Sequence, residues 1–593
     1  MWGLARSRTE TLTGGEALAR MLRAEGVDTV FGIIDGSYFG LYSALAPQGI
    51  RLVSPRHEAS AAHMAGAYAR LTGRLGVCMA SNGPGLANML GAVAVEHAEG
   101  NRVLLLTSCR RTGACCPDRG GTFQCFEHTA VTRPITKWAQ TVPSAARLPE
   151  LMRKALRACF AGRPGVVHLD VPEDVLNDRH ALPAGWLLPP ARYRNLAPLS
   201  PAPEQLQAAA RLVLAARRPL IHAGAGVIHA LAHAELAEVS ELLQAPVITS
   251  WAGRGAISEL SPLAVPLGAL ALARRVRTEA DCVLIVGSRL GETDWWGKPP
   301  HWAPPAAQRA IQVDIEEGSL GLNRPLDLAV LADARQFLAG LAGLLREQRA
   351  EIDLAARRAW LEELQDERAR AQAELERYLA PHASPIHSAQ AVQLVRQLVR
   401  EDAIVVLDGG NTAVWGHFFC EVRQPGTLLG TPKMGMLGAG VGQALGAAVA
   451  FPQRQVVALM GDGAMGMHLQ ELETAVRHRL RAVFVVFCDR AWGMVKMGQQ
   501  IATHPLKALV FKKLAEHEYT GTDFAEIRFD LLAEAMGARG ERARAPAELE
   551  QALARALVHD GPSVIHLEVD PVRHMWAPGL KAFKEMHLEP AGS

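Results

Sequence analysis

The chain has 593 residues, of which 49% are hydrophobic and 21% are charged, a composition typical of folded globular proteins. At roughly 100–200 residues per domain, this length predicts about three to five domains. The 62 Lys and Arg residues against 60 Asp and Glu residues give a net charge of +2, which excludes a strong field for nucleic acid or an anionic membrane. No apolar run reaches ~18 residues, so no membrane-spanning helix is expected.

The N-terminus and the cysteines indicate the compartment. The first residues lack the charged and then apolar layout of a signal peptide. The nine cysteines include no C-x-x-C pair, which favours reduced thiols over a disulfide framework or a zinc site. We therefore expect a cytoplasmic protein with several hydrophobic cores.

Short apolar runs rich in β-branched residues alternate with Ala- and Leu-rich helical segments along almost the whole chain. Continuous apolar strands are typical of parallel sheets covered by helices on both faces. The alternation predicts doubly wound α/β domains with parallel sheets. The predicted strands are 76–81, 103–107, 166–171, 219–223, 246–250, 282–286, 310–313, 403–408, 455–460, 482–487 and 563–569.

Two changes in composition divide the chain into three blocks. Residues 181–203 are rich in proline and have no clear period, which predicts a linker. Residues 345–379 are charged and helical in pattern, and they end before Pro381 and Pro385, which predicts a solvated surface helix between domains. The first and third blocks each begin with a helix leading into a strand that ends in glycine, so we expect them to share a fold.

The segment 455–500 carries the chemistry. A predicted strand leads into G-D-G-A at 461–464, a helix follows, and the next predicted strand ends before Asp489. Glycines at such a turn let the backbone approach a ligand, and a helix N-terminus favours an anion. The Asp462 carboxylate makes sense there if a divalent cation joins it to phosphate, because Mg²⁺ is typically held by one or two carboxylates and phosphate oxygens. Taken alone, the motif would equally fit a tight turn with an N-capping aspartate.

The whole arrangement resembles the diphosphate-binding motif of the thiamine-diphosphate enzymes, in which G-D-G is followed by a helix, a strand and an N-N pair. Here that pair reads Cys488-Asp489, with Asp489 where many relatives have Asn. The resemblance implies that Asp462, Asp489 and the backbone carbonyl of Ala491 hold Mg²⁺. It also implies coenzyme contacts from the surrounding residues and from the turn after the preceding strand, namely Gly409, Gly410, Asn411, Gly461, Gly463, Ala464, Trp492, Gly493 and Met494.

Glu58 is the implied catalytic acid. Residues 51–59 read RLVSPRHEA, which places Glu58 where this family has a glutamate after the second strand of its first domain. In the family that glutamate protonates the aminopyrimidine ring, whose imino tautomer then removes the thiazolium C2 proton. Such a step needs a carboxylic acid in a dry pocket. By itself, Glu58 would equally be a carboxylate at a helix start.

Three further segments resemble the family. The turn 81–85, SNGPG, contains Asn82 as a coenzyme contact, and residues 121–137 resemble acetolactate synthases at Phe123, Gln124 and T-R-x-I-T-K. Phe123 and Gln124 are therefore pocket-wall candidates, with Gln124 also a catalytic candidate. In 433–446, Gly435 would offer its carbonyl to the coenzyme's amino group. Leu437 would hold the coenzyme in its V shape, the alternative being an ordinary core leucine.

Other positions depart from the family pattern. The loop 31–38 reads FGIIDGSY instead of F-G-x-P-G, so Asp35 and Ser37 either face the substrate or form a turn. Val495 matches acetolactate synthases in the implied substrate pocket. Gly498 falls where those enzymes carry a tryptophan, which implies a wider substrate entrance.

The middle block leaves its ligand open. In acetolactate synthases and pyruvate oxidases this domain binds FAD, and in oxalyl-CoA decarboxylase it binds ADP. Gly224, Gly226 and Arg289 fit such a nucleotide, and a vacant domain fits equally. The neighbouring Trp295, Trp296 and Trp302 are either packing residues or part of a ligand face.

The resemblance implies a pyrimidine-binding domain at 1–182, a middle domain at 204–345 and a diphosphate- and Mg-binding domain at 384–575. It implies carbon–carbon bond cleavage and formation on a 2-oxo acid, with an enamine captured by an aldehyde or oxo-acid acceptor, as in acetolactate synthases. The alternatives are a non-ligating 2-oxo acid decarboxylase, an acyl-CoA lyase of the oxalyl-CoA type and a catalytically silent coenzyme-binding subunit. Because the family's coenzyme bridges two subunits, a homodimer or a dimer of dimers (homotetramer) is implied.

Overall fold

The computed structural model describes residues 9–115, 117–379, 382–512, 515–579, 582 and 585–586. The chain folds into two compact units. The first unit is Met1–Ala197 with Ala439–Pro452 and His468–Leu480, and the second unit is Pro198–Gly438 with Gln453–Met467 and Arg481–Ser593. Within the described residues, no helix combines the length and the apolarity needed to cross a bilayer.

The strands of the described residues are β1 (Thr9–Thr13), β2 (Thr29–Gly32), β3 (Arg51–Val53), β4 (Gly76–Ala80), β5 (Val103–Cys109), β6 (Trp138–Thr141), β7 (Val166–Pro172), β8 (Arg179–Pro183), β9 (Pro219–Ala223), β10 (Val247–Thr249), β11 (Cys282–Val286), β12 (Arg309–Asp314), β13 (Leu328–Leu331), β14 (Ile404–Asp408), β15 (Leu428–Leu429), β16 (Val456–Gly461), β17 (Val483–Cys488), β18 (Arg539–Ala543) and β19 (Ser563–Glu568).

The α-helices of the same residues are α1 (Gly14–Ala24), α2 (Phe39–Leu45), α3 (Glu58–Thr72), α4 (Pro84–Glu99), α5 (Thr112–Cys115), α6 (His128–Thr132), α7 (Leu148–Phe160), α8 (Glu173–Asn177), α9 (Pro203–Ala215), α10 (Ala225–His229), α11 (His233–Leu243), α12 (Leu270–Glu279), α13 (Ala334–Glu347), α14 (Leu354–Glu376), α15 (Ser388–Leu398), α16 (Gly410–Phe419), α17 (Ala439–Ala450), α18 (Asp462–His468), α19 (Glu471–Arg477), α20 (Gly493–Thr503), α21 (Pro505–Phe511), α22 (Phe529–Ala535), α23 (Pro546–Val558) and α24 (Pro571–Met575).

The first unit contains a parallel sheet of order β3-β2-β4-β5-β7-β6, and β1 pairs with β8 in a separate antiparallel ribbon. Strands β4, β5 and β7 are buried along their whole length. Such continuous burial is what apolar runs predict for parallel strands covered on both faces. The core on one side of the sheet joins these strands to the apolar stripes of α1 and α7.

The second unit contains two parallel sheets, of orders β10-β9-β11-β12-β13 and β15-β14-β16-β17-β19-β18. Counted within its own sheet, the last of these has the same strand order as the sheet of the first unit. The α/β class and the shared fold of the first and third blocks are therefore confirmed. In each of these sheets the second strand lies on one side of the first strand and the third strand lies on the other. The strand order thus switches between the first and third strands, and at such a point the loops at the carboxyl ends open a crevice for ligands.

The segment 181–203 is only partly a linker. Its first residues belong to β8, and Tyr193 and Arg194 both bind the carboxylate of Glu25 in the first unit. The Tyr193 hydroxyl donates to that carboxylate, and the Arg194 guanidinium lies 2.6 Å from it. After β8 the segment contains only short 3₁₀ turns at Ala184–Trp186 and Pro190–Arg192 before α9, and its composition could not show these long-range contacts.

The prediction of a solvated helix over 345–379 is wrong for its first turns. The segment holds the end of α13, a 3₁₀ turn at Arg349–Glu351 and the helix α14. Arg357 of α14 is buried and donates to the carbonyls of Val213 at 2.7 Å and Leu243 at 3.0 Å. It thereby satisfies carbonyl groups near the ends of α9 and α11, a role that charge pattern alone does not reveal.

A buried polar network crosses the sheet of the first unit. His168 on β7 lies 2.6 Å from the Thr107 hydroxyl through Nε2 and 2.7 Å from the Thr132 hydroxyl through Nδ1. Burial lowers the pKa of His168 to about 4. The unfolded chain, with a histidine pKa of ~6.5, therefore takes up this proton first as the pH falls.

We predict that His168 makes the first unit sensitive to acid. Its contribution is complete above pH ~6.5 and is lost progressively as the pH falls toward 4, so the free energy of unfolding should fall by about 2 kcal/mol between pH 8 and pH 5 from this group. His168→Gln should remove that part of the pH dependence, whereas His559→Gln at the end of α23 should not. Hydrogen exchange of peptides covering β5 and β7 measures the difference, and equal pH slopes in wild type and His168→Gln would contradict it.

Candidate active site

Two carboxylates meet at the edge of the third sheet. Asp462 follows β16 and Asp489 follows β17, which are adjacent parallel strands. The residues are only 7% and 8% exposed, and their side chains are in hydrogen-bonding contact. Burial raises the pKa of Asp462 to about 6 against the opposing effect of backbone hydrogen bonds, and burial and the Asp462 charge raise the pKa of Asp489 well above its ordinary value. Two buried carboxyl groups in contact must share a proton or bind a cation.

Backbone amides orient one of these carboxylates. Asp462 accepts hydrogen bonds from the N–H of Gly463 through Oδ1 and from the N–H of Arg490 through Oδ2, both at 2.7 Å. Arg490 has a φ of 57°, in the left-handed region that a non-glycine residue rarely adopts. That conformation is part of how its N–H reaches Asp462.

A buried amide lies next to the carboxylate pair. Asn411, in the first turn of α16, is 4% exposed, and its Oδ1 and Nδ2 have no hydrogen-bond partner among the described residues. A Cβ on Gly493 would lie 2.7 Å from Asn411 Nδ2 and 2.7 Å from Asp489 Oδ2. An unsatisfied buried amide costs about 1–3 kcal/mol, which indicates a bound group at this point. Carboxylate and amide oxygens are ligands that Mg²⁺ accepts, so these residues fit a magnesium–diphosphate site.

Glycines let three chain segments converge here. Gly409 has a φ of +95°, and a Cβ on it would lie 3.0 Å from the nitrogen of Gly461. A Cβ on Gly410 would lie 3.2 Å from Met494, and one on Gly463 would lie 2.6 Å from the Trp492 ring. The structure thus brings together, in the second unit, the predicted Gly409, Gly410, Asn411, Gly461, Asp462, Gly463, Ala464, Asp489, Ala491, Trp492, Gly493 and Met494.

The carbonyl of Ala491 is compatible with its predicted role. Ala491 and Asp523 form an antiparallel bridge whose hydrogen bonds run from Trp492 N–H to the Thr522 carbonyl and from Phe524 N–H to the Arg490 carbonyl, both at 2.8 Å. Because the flanking residues make these bonds, the carbonyl of Ala491 takes no part in the bridge.

The segment predicted to hold the pyrimidine forms a turn. The N–H of Gly435 donates to the Thr431 carbonyl at 2.7 Å, and Gly435 has a φ of +60°. The N–H of Gly438 donates to Asp408 Oδ1 at 3.3 Å, which ties the turn to the end of β14. Leu437 is half-buried rather than a core residue.

In the first unit, Glu58 opens α3. His57 caps this helix, since its Nδ1 accepts from the N–H of Ala59 at 3.1 Å. Glu58 is half-buried, and its Oε2 accepts from Asn88 Nδ2 at 3.1 Å. The helix behind it is almost entirely buried, so the position of Glu58 is fixed.

Three other predicted residues of the first unit are linked through Ser108. The hydroxyls of Ser37 and Ser108 lie 2.5 Å apart, and the N–H of Asn82 donates to the Ser108 hydroxyl at 3.0 Å. Asn82 Nδ2 also donates to the carbonyl of Gln124 at 3.2 Å. Asp35 caps a 3₁₀ turn by accepting from the N–H of Ser37 at 2.8 Å, as a turn aspartate does.

Gly83 packs closely against Gln124, whose backbone is in a strained conformation. Gly83 has a φ of +62° and Gln124 a φ of +53°, and a Cβ on Gly83 would lie 2.6 Å from the Gln124 carbonyl oxygen. The neighbouring Phe123 is 72% exposed, and its carbonyl accepts from Arg110 Nε at 2.9 Å. Backbone strain persists only where the surroundings enforce it, and it concentrates at functional sites.

His128 binds the Gly83 turn that packs against Gln124. The sequence patterns predict no role for His128. Its Nε2 accepts from the N–H of Gly83 at 3.1 Å, and its Nδ1 lies 3.0 Å from Asp170 Oδ1. Because a backbone N–H can only donate, the proton of the neutral ring is on Nδ1 and points to Asp170. Burial by itself would raise the pKa of Asp170, but His128 outweighs it and the pKa lies below its ordinary value. No motif links these two distant positions.

Val495 and Gly498, the two substrate-pocket candidates that follow the predicted metal ligands, lie on α20. Val495 is exposed, and a Cβ on Gly498 would meet nothing within 4 Å. Gly498 therefore sits on a helix with open space beside it and is not a turn glycine.

Gly224 and Gly226 of the middle sheet pack closely against the backbone of Gly287. A Cβ on Gly224 would lie 2.1 Å from the Gly287 carbonyl oxygen, and one on Gly226 would lie 2.6 Å from Gly287 Cα. Close backbone packing therefore explains the Gly-x-Gly pattern without a nucleotide. Trp302 and Trp295 are buried, as packing residues are, and Arg289 is exposed.

Comparison with known proteins agrees with the fold. Residues 12–130, 206–341 and 408–567 match the N-terminal TPP-binding, central and C-terminal TPP-binding domains of thiamine pyrophosphate enzymes. The chain belongs to the thiamine pyrophosphate enzyme family.

Curated proteins similar to this chain include acetolactate synthases. The chain is 30% identical to the acetolactate synthase isozyme 3 large subunit of Escherichia coli, over 92% of each chain. It is 31% identical to a probable acetolactate synthase of Mycobacterium bovis, over 95% of this chain and 96% of that one. It is 29% identical to a probable acetolactate synthase large subunit of Methanocaldococcus jannaschii, over 94% and 92%.

We predict unequal effects of the two aspartates on coenzyme binding. Asp462→Ala should weaken thiamine diphosphate binding in the presence of Mg²⁺ by more than ~100-fold, because it would remove one of the predicted Mg²⁺ ligands. Asp489→Asn should cost less than ~10-fold, since the amide oxygen still coordinates. Calorimetric titration measures both, with Asp523→Asn, a surface carboxylate paired with Lys496, as the control. If Asp489→Asn is as damaging as Asp462→Ala, the negative charge at 489 is required and the assignment is wrong.

Proposed function

We propose that this enzyme uses thiamine diphosphate and Mg²⁺ to form and cleave carbon–carbon bonds of a 2-oxo acid, by carboligation of the acetolactate synthase kind. The observation that carries the proposal is the buried Asp462–Asp489 pair beside the unpartnered amide of Asn411. The names of relatives that align over about nine-tenths of the chain support the substrate class.

The coenzyme, when bound, supplies a nucleophilic carbon and an electron sink for decarboxylation of the oxo acid. Asp462, Asp489 and the Ala491 carbonyl would hold Mg²⁺. The Asn411 amide would bind an oxygen beside that ion, which satisfies its buried polar atoms.

Residues of the first unit would manage the proton and the substrate. Glu58 would hold a proton on its carboxyl group, oriented by the hydrogen bond from Asn88. The amide of Asn82, the Ser37 hydroxyl and Gln124 would line the substrate side, held in place by His128.

The resemblance to this family also leads us to propose a homodimer or a dimer of dimers. Light scattering of the purified protein distinguishes these states from a monomer.

Product analysis tests the proposal directly. Protein reconstituted with coenzyme and Mg²⁺ is given a panel of 2-oxo acids and aldehydes, and products are identified by mass spectrometry. With an aldehyde acceptor the expected product is an α-hydroxy ketone, and with a 2-oxo acid acceptor it is a 2-hydroxy-3-oxo acid, in each case together with CO₂. Aldehyde and CO₂ alone would show a non-ligating decarboxylase, and no product from any substrate would overturn the proposed activity.

We predict that Glu58→Gln binds coenzyme but loses activity by ~10²–10⁴-fold, because the amide cannot donate and recover the proton. The matched control is Glu16→Gln, which alters the first-turn carboxylate of α1. If Glu58 were only a helix-start carboxylate, the two variants would behave alike. Steady-state turnover and coenzyme titration together measure the outcome.

We predict that Gly498→Trp narrows the pocket. The indole would enter open space on α20, so kcat/KM should fall for the largest accepted substrate by roughly 10–200-fold more than for pyruvate. Gly498→Ala is the control, because it adds only a Cβ and changes helix propensity by about 1 kcal/mol. Equal losses for large and small substrates in Gly498→Trp would show that residue 498 does not face the substrate.

A further inference from the structure

Four of the nine cysteines fall within residues 109–125. Cys116 lies outside the described residues, and the structure places Cys109, Cys115 and Cys125. Cys109 ends β5 and is 5% exposed, whereas Cys115 ends α5 and is partly exposed. The Sγ atoms of Cys109 and Cys115 lie 3.7 Å apart. Both residues are reduced thiols.

The short helix α5 places the Cys115 side chain next to that of Cys109. The N–H and hydroxyl of Thr112 donate to Asp174 Oδ1 at 3.0 and 3.1 Å, which fixes the start of α5. The Cys115 thiol donates to the Arg110 carbonyl at 2.9 Å, which directs it back toward β5. A disulfide requires an S–S distance of about 2.05 Å, so the sulfurs need to approach by ~1.7 Å.

We propose that Cys109 and Cys115 are a site of reversible oxidative modification, which a peroxide converts to a disulfide that lowers turnover. The disulfide itself follows from the geometry of the thiols, and its effect on turnover rests on the proposed function.

The reaction balances with hydrogen peroxide as the oxidant. The partly exposed Cys115 sulfur attacks one peroxide oxygen, which gives a sulfenic acid and one water. The Cys109 sulfur then attacks the Cys115 sulfur, and the sulfenic hydroxyl leaves with the Cys109 proton as a second water. Two thiols lose two electrons and two protons, and one peroxide is reduced to two waters.

The exposure of the two thiols sets the order of these steps. The hydrogen bond with Cys115 and burial raise the pKa of Cys109, and burial shields it from the peroxide, so it loses its proton only as it attacks the sulfenic acid beside it. Cys115 is the thiol that the peroxide reaches, and Cys109 is the resolving thiol.

The segment that would move is the one that leads to Gln124. Arg110 follows Cys109 directly, and its Nε donates to the Phe123 carbonyl at 2.9 Å. Gln124 is next, in its left-handed conformation against Gly83 and bound by Asn82. Misplacement by about 1 Å costs up to ~10²-fold in rate, so closing the sulfurs by ~1.7 Å should lower turnover by roughly 10- to 100-fold.

Peroxide treatment of the reduced full-length enzyme, loaded with coenzyme and Mg²⁺, tests the site. Peptide mass spectrometry should show a Cys109–Cys115 disulfide with the loss of two hydrogens, and dithiothreitol should restore both mass and turnover. Cys109→Ser and Cys115→Ser should keep their turnover after peroxide. Cys125→Ser, the matched control on the same segment, should lose turnover as the wild type does.

Three results would overturn the proposal. They are a disulfide to Cys116 or Cys125 instead, inactivation of Cys109→Ser equal to that of wild type, and a complete Cys109–Cys115 disulfide with unchanged turnover. If no oxo acid is turned over, the proposed function fails separately. Mass spectrometry still detects the disulfide in that case, and hydrogen exchange of peptides covering 117–127 measures its effect on the segment. Unchanged hydrogen exchange in these peptides after disulfide formation would also overturn the proposal.

Discussion

The site depends on two carboxyl groups held in contact away from water. Asp462 and Asp489 follow neighbouring strands, burial disfavours the charge of each, and the charge of Asp462 adds repulsion at Asp489. The surrounding chain supports the pair at a cost in conformational freedom, through the left-handed backbone at Gly409 and Arg490 and the missing side chain at Gly493. Such a pair needs a shared proton or a bound cation to relieve its charge, and in our proposal a cation does so when the coenzyme binds.

The first unit repeats the strand order of the third sheet but uses its crevice differently. The separate carboxyl groups of Glu58 and Asp170, with neutral polar groups, take the place of the carboxylate pair. His128, with a fixed tautomer, accepts from the N–H of Gly83, whose turn packs against the left-handed backbone of Gln124. In our proposal the third sheet binds charge and the first positions a proton and a neutral substrate surface. One fold thus serves two chemical tasks, since the loops after the strands set the chemistry.

Local sequence patterns predict the features of the fold that depend on neighbouring residues, such as strands and the turns that follow them. Continuous apolar runs predict the buried strands, and the spacing from Asp462 to Asp489 predicts two side chains at neighbouring strand ends. Long-range polar contacts are not predictable in this way. Arg357 looks like one more charge on a solvated helix until the carbonyls of α9 and α11 surround it, and His128 has no local signal for its bond to Gly83. The close approach of Cys109 and Cys115 likewise depends on how α5 turns back onto β5.

The central claim is that a divalent cation joins the buried carboxylates to a diphosphate, and one titration tests it. Thiamine diphosphate is titrated calorimetrically into the metal-free protein, first in EDTA and then in Mg²⁺. The account predicts tight binding in Mg²⁺ and a loss of affinity of more than ~100-fold in EDTA, because the Asp462–Asp489 pair would otherwise repel the diphosphate. Equal affinity under the two conditions, or no binding in Mg²⁺, would contradict it.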